Sequence, residues 1–169
     1  MAEEANDIRV HTLSVYVVNK PGVLARIAQV FARRGYNIDS LVVSPSVDGR
    51  YSRMTIAAKG STEGLDQIIK QVAKLVDVRH CTDHAFDSAV VREMALVKIK
   101  VSVEERTAAL QICEHFGGKT VDLTETSLIV LIVGASEKLD ACIDMLKKHE
   151  IVELVRTGKV LMARGEEAT

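Results

Sequence analysis

The chain has 169 residues, enough for one domain or two small ones, and its 47% hydrophobic content can bury on the order of 70% of the unfolded surface. With 22 basic and 23 acidic residues the net charge is −1, which removes any electrostatic drive toward nucleic acid or an anionic membrane. No apolar run reaches membrane-spanning length, MAEEANDIRV lacks the regions of a signal peptide, and three widely spaced cysteines make no disulfide scaffold, so a cytoplasmic location is expected.

In chain order, Leu13, Val15 and Val17 alternate with Ser14 and Tyr16, a strand pattern over about 10–18. The chain then turns into a helix. Asn19 can cap it, Pro21 suits the first helical position, and Gly22 allows close backbone approach. Leu24, Ile27, Ala28 and Phe31 share one helix face, and Arg33 and Arg34 precede the stop at Gly35. Strands are expected near 37–46 and 51–58, joined by an Asp48-Gly49 hairpin turn. A second helix carries Leu65, Ile68, Ile69 and Val72, and a strand near 76–82 closes the half.

The same order repeats. A strand near 94–101 leads to a helix with Ala109, Ile112, Cys113 and Phe116 on one face. Strands near 119–124 and 127–134 precede a helix carrying Leu139, Cys142, Ile143 and Leu146, then a strand near 151–157. The pattern is α+β, two tandem ferredoxin-like βαββαβ units, each with two helices on one face of an antiparallel sheet. The boundaries read as a first domain over 8–84, a linker over 85–92 and a second domain over 93–165. The run Leu128 to Val133 is apolar on both faces, where a sheet wet on one side should alternate. Either another protein or the chain's own first half must cover it.

The chemistry concentrates at Asn19–Leu24. Exposed amides and the positive dipole end of a helix favour a carboxylate, so this junction suits a small anion. The plainer reading is that Asn19 and Gly22 only cap the helix. No metal, cofactor or triad pattern points to a stand-alone enzyme. An RNA-binding module would stack bases on sheet aromatics, but the chain has three Phe and three Tyr, and Phe31 and Phe116 lie on helix stripes. His80-Cys81-Thr82-Asp83-His84 holds four possible metal ligands without a structural zinc spacing, and reads as a strand end entering a polar loop. Cys113 and Cys142 read as core residues, and His11, His115 and His149 have no carboxylate at a telling spacing. Lys98 and Lys100 read as the solvated side of a strand or as a contact to an acidic partner surface. The second unit's first helix begins near Val103-Glu104-Glu105, where Glu would oppose a carboxylate.

The run Asn19-Lys20-Pro21-Gly22-Val23-Leu24-Ala25-Arg26-Ile27, with Phe31, Arg34-Gly35-Tyr36-Asn37-Ile38 and Ser40-Leu41, resembles an amino-acid-binding ACT domain. With Ser52-Arg53-Met54-Thr55-Ile56, Lys74-Leu75-Val76-Asp77-Val78 and Arg92-Glu93-Met94-Ala95-Leu96-Val97-Lys98, it is similar to the regulatory small subunit of acetohydroxyacid (acetolactate) synthase. Lys138-Leu139-Asp140-Ala141, Arg156-Thr157-Gly158 and Arg164-Gly165 extend the likeness, which spans about Val10 to Gly165.

The resemblance implies a non-catalytic homodimeric subunit with no cofactor of its own. Its partner, the catalytic large subunit, would carry thiamine diphosphate, Mg²⁺ and FAD and condense 2-oxoacids toward valine, leucine and isoleucine. The small subunit would activate that partner and confer feedback inhibition by valine. It also implies an effector site between two ACT domains: Asn19, Pro21, Gly22, Val23 and Leu24 from one chain, Asn37 and Ile38 from its mate. The residue types suit an amino acid. Amides near Gly22 to Leu24 can donate to its carboxylate, and the Asn19 and Asn37 carbonyls can accept from its ammonium. Leu24 and Ile38 could line a slot for an isopropyl group, worth ~1.5–3 kcal/mol on burial. Pro21 stands where some relatives carry a small polar residue, which removes one amide. Another amino-acid-sensing ACT protein, such as a transcriptional regulator, is the alternative; no helix-turn-helix segment supports it.

Overall fold

The computed structural model describes residues 8–83 and 89–166. The chain divides into two units, Met1–Val90 joined by Gly158–Thr169 and, between them in sequence, Val91–Thr157. No helix among the described residues is long and apolar enough to cross a membrane.

The first unit runs β1 (Arg9–Val18), α1 (Val23–Arg33), β2 (Ile38–Pro45), β3 (Tyr51–Gly60), α2 (Thr62–Val72) and β4 (Val78–Asp83). Its sheet has the order β2-β3-β1-β4 with every pairing antiparallel. Strand alternation sends Leu13, Val15 and Val17 of β1 to one face, and the register brings Ile56 and Met54 of β3 beside them. There they meet Val23, Ile27 and Phe31 of α1 and Leu65, Ile68 and Val72 of α2 in one buried cluster. The α1 stripe therefore passes through Val23 rather than Leu24, which is 40% exposed.

Local chemistry sets the ends of these elements. Ser61 caps α2, its hydroxyl accepting from the Gly64 amide at 3.3 Å. A Cβ at Gly60 or Gly64 would fall 2.2 or 1.7 Å from the Tyr36 ring and hydroxyl, so both glycines make room for that side chain. In the β2–β3 hairpin Gly49 has φ 70°, and Asp48 accepts from the Ser46 hydroxyl and from the Arg50 amide and guanidinium. The Ser46 bond, with those from Arg50, pulls the Asp48 carboxyl down to about 2.

The second unit contains β5 (Ala89–Lys100), α3 (Arg106–His115), β6 (Lys119–Leu123), β7 (Ser127–Gly134), α4 (Ser136–Leu146) and β8 (Glu150–Arg156). Its sheet order, β6-β7-β5-β8, repeats that of the first, so the two expected ferredoxin-like units are present. Ala95, Val97 and Ile99 of β5, with Leu128, Val130 and Ile132 of β7, pack under the stripes of α3 and α4. Buried Glu93 ties three elements together: it accepts from Arg156 of β8 and from the Ser136 hydroxyl at the start of α4, while Arg156 also holds Asp140.

Two boundaries differ from the sequence reading. Residues 85–88 of the expected linker lie outside the described residues, and 89–92 already belong to β5. A short strand, β9 (Val160–Ala163), pairs with β5, and the chain from Gly158 onward groups with the first unit rather than the second. β7 is apolar on both faces, as its sequence reads, and its burial alternates. Leu128, Val130 and Ile132 are buried, whereas Ile129 and Leu131 are half-buried and Val133 is exposed on the opposite face. On that face Lys98 pairs with Glu153, and Lys100 with Glu150, so neither lysine is an uncommitted charge.

Candidate functional site

The β1–α1 junction is built around Gly22. Its φ of 83° and ψ of −10° match the third position of a type II turn, for which proline is favoured one residue earlier. Pro21 thus lies in the turn, and the helix starts only at Val23. Gly22 is the N-cap residue, and its carbonyl accepts the Arg26 amide at 3.1 Å. No side chain caps the first turn, and no acidic residue lies within it. Asn19 does not cap α1 as the sequence suggested; its side-chain amide donates to the Gly49 carbonyl at 3.0 Å and ties the junction to the hairpin turn. The open amides at the start of α1 keep the affinity for an anion that a capping oxygen would quench.

Beneath the junction sits Asp77, 3% exposed. It accepts from the Lys20 ammonium at 2.6 Å and from the Arg26 guanidinium. The Lys20 hydrogen bond, aided by the charge of Arg26, holds the Asp77 carboxyl below its ordinary range. A carboxylate with a depressed folded pKa contributes stability above its unfolded value and loses it as pH falls through the folded one. Asp77→Asn is therefore expected to lower stability at pH 7, with the gap from the parent closing below about pH 4. Urea unfolding at pH 7 and pH 3 checks this; an equal gap at both would deny the charge any part.

Asn19, Pro21, Gly22, Val23 and Leu24 are brought together here, in different roles. Val23 points its side chain into the core and leaves only its amide for a ligand, while Leu24 stays accessible. Asn37 and Ile38 lie past the other end of α1, whose 11 residues span roughly 16 Å. Asn37 is exposed, with a 3.4 Å bond to Asp39, and Ile38 is partly packed on the core. One chain therefore does not bring the two groups together.

Sequence reasoning missed the Lys20–Asp77–Arg26 cluster and a second buried pair. The His11 ring, 4% exposed, meets Asp83 at 2.7 Å across β1 and β4 and accepts from Arg9 through its other nitrogen. An acid flanked by Leu75, Val76 and Val78 was the available signal for Asp77. Among the described residues of the His80–His84 run, no ligand set converges. Cys81 and Asp83 alternate with His80 and Thr82 along β4, burial pushes the Cys81 thiol up to about 12, and His84 lies outside the described residues. All three cysteines are free.

A tandem ferredoxin-like chain with an uncapped glycine junction at its first helix has the build of an ACT-type regulatory protein. The model of the AHAS small subunit-like ACT domain matches residues 13–80, and that of the small subunit of acetolactate synthase matches 92–165. The chain belongs to the acetolactate synthase small subunit family. It is 42% identical over 155 residues to the small subunit of acetolactate synthase isozyme 3 of Salmonella typhimurium, covering 91% of this chain and 95% of that one. With the acetolactate synthase small subunit of Mycolicibacterium smegmatis it shares 38% over 161 residues, 95% of each chain. The crystal structure of the acetolactate synthase small subunit from Thermotoga maritima superposes with a TM-score of 0.84 at 40% identity, over 95% of this chain and all of that one.

Proposed function

We propose that the chain is the regulatory subunit of an acetolactate synthase, acting in branched-chain amino acid synthesis in the cytoplasm and carrying no catalytic chemistry itself. It pairs into a homodimer and binds the large subunit, which holds the thiamine diphosphate, Mg²⁺ and FAD. It raises that partner's activity and makes it sensitive to valine. What supports the reading is the likeness to small subunits along almost the full length of both chains. The uncapped amides at Gly22–Leu24 receive the valine carboxylate, and the exposed side of Leu24 meets its isopropyl group. Asn37 and Ile38, too far along α1 to reach the same ligand, come from the mate. Valine prefers one dimer geometry and shifts the population toward it, a coupling of typically ~1–3 kcal/mol.

Isothermal titration of the purified chain with valine, leucine and isoleucine, then assay with the catalytic subunit, tests this. Saturable valine binding, activation of the partner and valine inhibition of the complex are expected. Asn19→Ala and Asn37→Ala should each lose valine binding, and mixing the two should restore some sites. No recovery would place the pocket within one chain, and no activation would remove the chain from this enzyme.

A further inference from the structure

The second unit has its own version of the strand–helix junction. The Val101 amide donates to the Thr126 carbonyl at 3.0 Å, as the Asn19 amide does to the Arg50 carbonyl in the first unit. Here the junction opens into a cleft of about 450 Å³, walled by Lys100, Ser102, Glu105, Thr126, Lys148 and His149. That volume falls within the range of small-molecule sites. The walls carry charges of both signs, with Lys100 and Lys148 against Glu105 and Glu150.

The polarity of this junction is reversed from that of the first unit. Ser102 and Glu105 form a reciprocal cap: the Glu105 carboxylate accepts from the Ser102 amide at 3.1 Å and hydroxyl at 2.9 Å, and the Ser102 oxygen accepts the Glu105 amide. Those bonds from Ser102 hold the Glu105 carboxyl below its ordinary range, so the start of α3 presents a fixed negative charge. Both bonds fall on Oε2, leaving Oε1 as an acceptor. The Lys148 ammonium supplies the opposite charge from the α4–β8 corner. His149 then stands out. It is 8% exposed, and neither Nδ1 nor Nε2 has a hydrogen-bond partner. Burial, with Lys148 beside it, disfavours its protonation, so the ring offers one donor and one acceptor, both unmet. Native interiors rarely leave such groups unpaired, and a ligand that pairs one of them recovers part of the cost.

We propose that this cleft binds a short polar α-amino acid as its zwitterion, with the ammonium on Glu105, the carboxylate on Lys148, and the His149 imidazole completing the hydrogen bonds. Charges of both signs disfavour a simple anion, and the hydroxyls of Ser102 and Thr126, beside Val101, give a polar side chain hydrogen-bond partners. The inference is independent of valine binding in the first unit.

The test is NMR of the full chain labelled with ¹⁵N-histidine, titrated with L-serine and L-glutamine and read at the His149 ring nitrogens. A saturable shift with at least one of the two is expected, with His11 and His80 unmoved. Lys148→Ala, at an exposed position, should weaken that response about tenfold or more while leaving the spectrum folded. Acetate and methylamine, each offering one charge, should give no saturable shift. Silence with both amino acids overturns the proposal, and so does an equal response to acetate alone. Gly22→Asp should leave the His149 response in place, so this site and the first unit's junction fail separately.

Discussion

Gly22→Asp is expected to abolish valine binding and valine inhibition while the fold and the activation of the catalytic subunit survive. An added Cβ has room, since the nearest atom is Arg26 Nη1 at 3.8 Å. The cost is conformational, because φ is 83°; a non-glycine residue there loses about 1–2 kcal/mol, and Asp and Asn tolerate the region better than most. A carboxylate at a helix start regains about 0.3–1 kcal/mol from the dipole, so the helix persists. The same carboxylate occupies the amides that the effector needs and repels its charge. Gly22→Asn separates the two causes, since it carries the strain without the charge and should keep part of the binding. Titration with valine and the inhibition assay read both variants. Full valine sensitivity in a folded Gly22→Asp protein would remove the junction from the effector site.

Phe31→Ala should be among the most damaging single changes to stability, costing about 3–5 kcal/mol. Phe31 is 0% exposed and closes the α1 stripe with Val23 and Ile27 against Leu13, Val15 and Ile56. Truncation leaves a void that a sheet and two helices cannot collapse to fill. For a chain of this size the midpoint should fall by roughly 10 °C in a thermal melt. Leu24→Ala is the matched control. It lies on the same helix but is 40% exposed, and its melt should shift only slightly. Equal losses from both would mean that the helix packs through Leu24 after all.

These two residues also show where the sequence was legible. The α4 stripe of Leu139, Cys142, Ile143 and Leu146 is buried as its spacing implied, because the rival set one residue earlier, 138/141/142/145, begins on a lysine and leaves Met145 exposed. In α1 both 23/27/31 and 24/27/28/31 satisfy helical periodicity, and only packing against the sheet selects the first. The Asn19–Leu24 junction was visible as a strand exit with Pro and Gly. That Gly22 rather than Asn19 occupies the cap was not, since the Asn19 side chain is drawn off by Gly49, thirty residues away. Partners distant in sequence were the common blind spot. His11 and Asp83 are 72 positions apart, and Gly60 and Gly64 look like weak points until Tyr36 is placed over them. β9 was invisible for the same reason, as a four-residue strand whose partner, β5, lies far back in the sequence.

The return of the chain to the first unit at Gly158 changes what the chain's order of synthesis permits. Gly158 stands so close to Ser40 and Val42 that a Cβ would lie 2.8 Å from the Ser40 hydroxyl. The second unit is thus an insertion within the first, between Val90 and Gly158. A nascent chain can form the β1-to-β4 sheet early, but the face bearing Ser40 and Val42 stays open until everything through Gly158 has left the ribosome. Truncation after Thr157 would freeze that unfinished state. An isolated first unit is better made by splicing Val90 to Gly158 than by cutting at the boundary between the two repeats.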